Sequence, residues 1–136
     1  MLFVWIVVIF CIGLVLQDIG KWGFLSDMIG YAPLNLYTTL WWFDNFMHAL
    51  GGLGAAWYVL WCATFIRPAL LDRENAATVL IILILAALTI GILWEIAQFL
   101  FVELRGTYEQ NLDDTVADIL FDIIGGFLAA LFLRYR

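Results

Sequence analysis

The sequence predicts an all-α integral membrane protein, a four-helix bundle with an interfacial or re-entrant segment between its first and second spans. Three observations predict it. The 136 residues are 65% hydrophobic and only 13% charged, and the mean hydropathy is +1.01, which excludes an ordinary soluble domain. The apolar residues gather into four runs separated by short polar stretches, the pattern of successive membrane-crossing helices. Ionisable residues recur inside those runs at helical spacing, where burying them is costly and their retention points to function.

The whole chain, 1–136, reads as one transmembrane domain, with spans near 2–20, 43–66, 76–102 and 114–133. Leu2 to Leu16 is apolar without a charge. It lacks the basic start and small-residue cleavage site of a signal peptide, so it reads as a membrane anchor. From residue 17 to 42 the chain mixes Gln17, Asp18, Lys21, Ser26, Asp27 and Pro33 with aromatic residues. That is too polar to span and too apolar for a free linker, which suits interfacial helices or a lid on the membrane surface. Trp22, Tyr31, Tyr37, Trp41 and Trp42 crowd there as an interfacial aromatic layer. Trp57, Trp61 and Trp94 fall within spans, as packing residues. The polar turn from Arg67 to Asn75 separates the second span from the third, and a second polar loop runs from Glu103 to Asp113.

Two stretches read as near copies, offset by 74 residues. One is Asp44-x3-His48-x2-Gly51-Gly52-x2-Ala55-Ala56, the other Asp118-x3-Asp122-x2-Gly125-Gly126-x2-Ala129-Ala130. In a helix, residues three and four apart share a face. Each copy therefore has ionisable groups above a smooth small-residue surface of the kind that lets membrane helices approach. The expectation is that the second and fourth spans pack through Gly51, Gly52 and Ala55 against Gly125, Gly126 and Ala129. Asp44 and Asp114 also suit helix N-caps. His48, Asp118 and Asp122 lie one or two turns inside apolar runs, where capping does not explain them.

Topology brings the ionisable groups to one layer. Glu95 comes late in the third span, about 28 Å beyond Ala76 at 1.5 Å per residue, so it returns to the end where Asp44, His48, Asp114, Asp118 and Asp122 begin. Five carboxylates and one imidazole would then share a layer, with no Lys or Arg inside a span. Burying them together requires protons or a cation. A divalent metal held by Asp44, His48, Asp114, Asp118 and Asp122 is one solution, its identity open among Mg²⁺, Mn²⁺, Zn²⁺ and Fe. Glu95 is then a ligand or a general base, or else a glutamate hydrogen-bonded to Gln98. A net charge of −6 argues against nucleic acid as a partner. Cys11 and Cys62 lack CxxC spacing, and Ser26 is the only serine, so neither a thiolate metal site nor a serine nucleophile is supported.

Phe43-Asp44-x3-His48-x2-Gly51-Gly52, then Trp94-Glu95-x2-Gln98, then Asp114-x3-Asp118-x3-Asp122-x2-Gly125 together resemble the VanZ-like group of small membrane proteins and its YjdF-like relatives. The resemblance covers the chain from Phe43 onward and implies a multi-span helical protein. Its name-giving member is associated with resistance to a lipoglycopeptide antibiotic. VanZ-like sequences commonly carry Asn where Asp122 stands, so this chain adds a charge there.

The functional expectation is a metal-loaded site facing the outer side, acting on lipid or lipid-linked cell-envelope molecules. In an enzymatic version His48, Asp118 and Asp122 hold the metal, Glu95 activates water, and residues 22–42 gate lipid access. The alternatives are a small proton-coupled transporter using Glu95 and Asp122, and a non-catalytic subunit of a membrane complex. A homo-oligomer is compatible with each.

Lysine and arginine bias sets the expected orientation. Arg67, Arg73, Arg134 and Arg136 lie on one side, and Lys21 and Arg105 on the other, which predicts a cell-membrane protein with both termini cytoplasmic. Single cysteines replacing Asn75 and Gln110 in a cysteine-free background are expected to label from opposite sides of the membrane. Labelling of Gln110→Cys only after permeabilisation would overturn the orientation.

Overall fold

Backbone that crosses hydrocarbon must satisfy its own hydrogen bonds, so apolar runs of this length fold as helices. A computed structural model of the chain describes residues 2–18, 36–71, 75–105 and 112–134. The described residues form five α-helices and one short 3₁₀ turn: α1 (Leu2–Gln17), α2 (Leu36–Thr39), α3 (Phe43–Ile66), the turn Pro68–Leu71, α4 (Ala76–Arg105) and α5 (Leu112–Arg134). Helices α3, α4 and α5 are long and apolar enough to cross a membrane. With 16 residues, α1 is shorter, about 24 Å against the ~30 Å of a hydrocarbon core. Most of the segment expected to lie at the interface, and the loop before α5, fall outside the described residues.

Helix boundaries follow local chemistry. The N-cap of α3 is Trp42, which makes no side-chain cap, so Asp44 sits in the first turn and not at the cap. There its charge suits the positive end of the helix dipole. Pro68 cannot continue a helix, and α3 ends at Ile66 with the Arg67 amide donating to Ala63 O at 3.0 Å. Asn75 Nδ2 donates to Ala69 O at 3.0 Å and closes the turn into α4. In α5, Asp113 and Asp114 occupy the first turn.

Three helices bury matching stripes of every fourth residue. On α3 the stripe is His48, Gly52, Ala56 and Leu60. On α4 it is Leu83, Ala87, Gly91 and Glu95, and on α5 Asp118, Asp122, Gly126 and the flanking Gly125 and Ala129. Because α4 runs against the other two, each stripe grades from ionisable residues at one end, through glycine and alanine, to leucine or alanine at the other. Ala56, Leu60, Leu83 and Ala129 form the apolar core at that far end, where Trp57 meets Phe132 edge-on at 5.8 Å.

The small residues are required by backbone proximity. A Cβ on Gly125 would lie 2.6 Å from Leu53 N, and one on Gly52 would lie 2.8 Å from the Asp122 Cα. Gly126 faces the other neighbour, with a Cβ there 2.8 Å from the Ala87 methyl and 2.9 Å from Leu83 O. The glycine pair of α5 thus divides between α3 and α4. The expected α3–α5 packing is present, but on α3 the buried face is Gly52 and Ala56, with Gly51 and Ala55 less enclosed.

Helix α1 lies antiparallel along α3: Phe3 packs on Trp61 at 5.2 Å, Ile9 faces Gly54, and Leu50 faces Gly13. Large apolar side chains such as Phe10, Ile81, Leu93 and Phe132 point outward. Trp94 joins them at 48% exposed, so it faces the surroundings where the sequence suggested packing. Water would penalise such a surface, and lipid does not.

Overpacking gives the test. Gly125→Leu should destabilise the detergent-solubilised protein by about 1–3 kcal/mol or more, read from its thermal midpoint. Gly54→Ala, whose Cβ would meet Ile9 at an ordinary 3.6 Å, should leave the midpoint unchanged or raise it. Equal behaviour of the two variants would count against the close α3–α5 approach.

Candidate metal centre

At the polar end of the three stripes, four carboxylates surround one imidazole. His48 comes from α3 and lies one turn below Asp44, Glu95 comes from α4, and Asp118 and Asp122 lie one turn apart on α5. His48 Nδ1 is 3.1 Å from Asp122 Oδ2, a hydrogen bond. On its other nitrogen, Nε2 stands 3.6 Å from Asp118 Oδ2, 3.8 Å from Asp44 Oδ1 and 3.9 Å from Glu95 Oε1. These three distances are too long for hydrogen bonds. Two ligand atoms each about 2.1 Å from one ion stand about 3–3.6 Å apart in ordinary coordination angles, so the gap is close to the size of a cation.

Burial makes this gap matter. His48, Glu95, Asp118 and Asp122 are each at most 6% exposed, whereas the Asp44 side chain is 37% exposed and forms the open edge of the cluster. Asp118 Oδ1 is buried and makes no hydrogen bond among the described residues. A carboxylate oxygen so placed costs several kcal/mol unless a proton or a metal meets it. Asp44, His48 and Asp118 each offer a ligand atom, all within 4.8 Å of one another, and could hold a metal ion. Asp114, also expected at the site, stands exposed one turn before Asp118 and is not part of that group.

Three neighbours, Thr115, Tyr37 and Gln17, were not among the expected site residues. Thr115 Oγ1 donates to Glu95 Oε2 at 2.9 Å, linking α5 to α4. Tyr37 of α2 donates its hydroxyl to Gln17 Oε1 at the end of α1, and its ring packs edge-on against buried Phe43 at 4.9 Å. Burial first, then the Asp44 and Asp118 carboxylates, push the Tyr37 phenol up, against a smaller lowering by the Gln17 contact, and it remains a neutral donor. Neither Thr115 nor Tyr37 lies in a motif. Gly91 did leave a signal, since it falls four residues before Glu95 and four after Ala87 in a small-residue stripe.

The fold and site define a multi-pass helical membrane protein with a histidine–carboxylate cluster buried between three of its helices. The chain belongs to the family described as "Predicted membrane protein (DUF2238)", whose model matches residues 2–136. A protein of Thermotoga maritima, named "Uncharacterized protein", is 28% identical over 109 residues, covering 79% of this chain and 55% of the relative. The chain thus spans about half the length of that relative. No solved structure matches.

The Thr115–Glu95 contact can be tested alone. Thr115→Val should cost about 1–3 kcal/mol, the cost of leaving a buried acceptor without its partner, seen as a lower unfolding midpoint in detergent. Thr115→Ser should stay near wild type. An unchanged midpoint in Thr115→Val would mean that other groups hold Glu95.

Proposed function

We propose that the protein is a membrane-embedded metal centre acting on lipid or lipid-linked cell-envelope molecules. The observation that carries the reading is the set of three carboxylates spaced 3.6–3.9 Å from His48 Nε2, beside a buried Asp118 oxygen that has no hydrogen bond among the described residues. Asp44, His48 and Asp118 would hold a divalent ion, which would supply Lewis acidity to a bound ester or phosphoester. Imidazole with carboxylate suits Zn²⁺, Mn²⁺ or Fe better than Ca²⁺.

Each remaining group has a role in this reading. Glu95, held by Thr115, would take a proton from the water that attacks the ester and pass it to the alcohol oxygen that leaves as the ester bond breaks. Asp44, the exposed edge, is where substrate approaches from the membrane layer shared with Tyr37. The orientation with this end outward and the termini cytoplasmic belongs to the same proposal. So does the likeness to the VanZ-like group, which supports an envelope-related substrate.

Linkage sets the size of the test. A ligand at 100 times its dissociation constant stabilises the folded state by about 2.7 kcal/mol. Chelation of the purified protein should therefore lower its melting temperature, and elemental analysis should find a near-stoichiometric divalent metal. His48→Ala and Asp118→Ala should largely abolish the chelator response, while exposed Asp113→Asn should retain it. A wild type that carries no metal and melts identically with chelator, Mg²⁺, Mn²⁺ or Zn²⁺ would sink the proposal and favour a carrier working through protonated carboxylates.

A further inference from the structure

Asp122 differs from the other carboxylates of the cluster in what surrounds it. Its Oδ2 meets Nδ1 of His48, whereas Asp44, Glu95 and Asp118 face Nε2. Glycines from two helices enclose it. Its backbone lies on Gly52, where a Cβ would stand 2.8 Å from the Asp122 carbonyl carbon. Its carboxyl group lies on Gly91 of α4, where a Cβ would stand 2.8 Å from Asp122 Cγ, 3.1 Å from its Cβ and still closer to Oδ2. Oδ1 is 3.8 Å from the Cβ position of Gly51. The other glycine contacts in the bundle involve backbone atoms or the ends of apolar side chains. At Gly91 alone among the described glycines the missing methyl makes room for an ionisable group.

We infer that Asp122 is a positioning residue for His48, and that Gly91 is the seat that holds the Asp122 carboxylate against Nδ1. The inference rests on the proposed metal reading for its consequence, not for its geometry. A carboxylate accepting the Nδ1 proton fixes the imidazole as the Nδ1–H tautomer and turns the Nε2 lone pair toward Asp44, Asp118 and Glu95. Asp122 is then not itself a ligand. It makes His48 a better one, by fixing ring orientation and raising ligand basicity. A methyl group on Gly91 would strike Oδ2, the oxygen that meets Nδ1, and with the Asp122 backbone packed on Gly52 the carboxylate has to swing off Nδ1.

The chain contains one histidine, so ¹⁵N-histidine labelling reports His48 alone. In the metal-free protein in detergent, Nδ1 should appear protonated. Zn²⁺ should shift Nε2 and leave Nδ1 protonated. Asp122→Ala and Gly91→Ala should move the imidazole toward a mixture of tautomers and weaken Zn²⁺ binding about 10- to 100-fold, while Gly54→Ala should do neither. Asp122→Asn, which keeps an acceptor oxygen, should retain the Nδ1–H form. If Gly91→Ala fails to fold, Asp122→Ala still decides, since it only removes atoms.

An unprotonated Nδ1 in wild type, a Zn²⁺ shift at Nδ1, or an unchanged tautomer in Asp122→Ala would each overturn the assignment. A protonated Nδ1 that Asp122→Ala releases, with Zn²⁺ moving neither nitrogen, would leave the assignment standing and end the metal reading.

Discussion

The structure depends on keeping four carboxylates around one imidazole where water is scarce. Ionised acids so close repel one another, and in a low-dielectric interior each also loses its hydration. The hydrogen bond between His48 Nδ1 and Asp122 Oδ2 offsets part of that cost, and the Thr115 hydroxyl relieves one oxygen of Glu95. Among the described residues Asp118 Oδ1 has no hydrogen-bond partner, so that part of the cost is not offset. A proton or a cation at that oxygen would complete the cluster.

Bringing ionisable groups from three helices within 4 Å of one ring requires the backbones to come close. The bundle does this with glycine and alanine directly beneath the polar residues, so the charged layer and the smooth layer are successive turns of the same stripes. Larger side chains below the cluster would part the helices and widen the gaps around Nε2. The leucines come only at the far end, where distance between axes no longer affects the site. Outside the stripes the helices present apolar side chains to lipid, so the order of a soluble protein is largely reversed.

Much of this was legible in the sequence. The apolar runs marked α3, α4 and α5 because span length and hydropathy are strong local signals. The copy of the Asp–x3–ionisable–x2–Gly–Gly pattern pointed to α3–α5 packing, since small residues at helical spacing have few other uses in a membrane. Counting residues from Ala76 placed Glu95 beside the others because helix rise is fixed. What could not be read was the rotation of each helix within a residue. Gly51 and Gly52 are equally good sequence candidates, and only the neighbouring helix decides that Gly52 is buried. The contacts of Thr115, Gln17 and Tyr37 at the site were not legible for a different reason: they join residues 20 apart in the chain, with no periodicity to link them. Asp114 fitted the ladder by spacing, yet the helix starts at Leu112 and leaves it exposed.

The two copies of the pattern do not merely resemble each other; their equivalent positions meet, His48 of one against Asp122 of the other. An interface built from two identical copies would set like against like there. Aspartate facing aspartate at 3 Å would repel, and histidine facing histidine would leave one ring nitrogen competing with its twin. A difference at this one position turns a self-opposing pair into a donor and an acceptor. The internal likeness supplies the close fit of the helices, and a single broken equivalence supplies the chemistry.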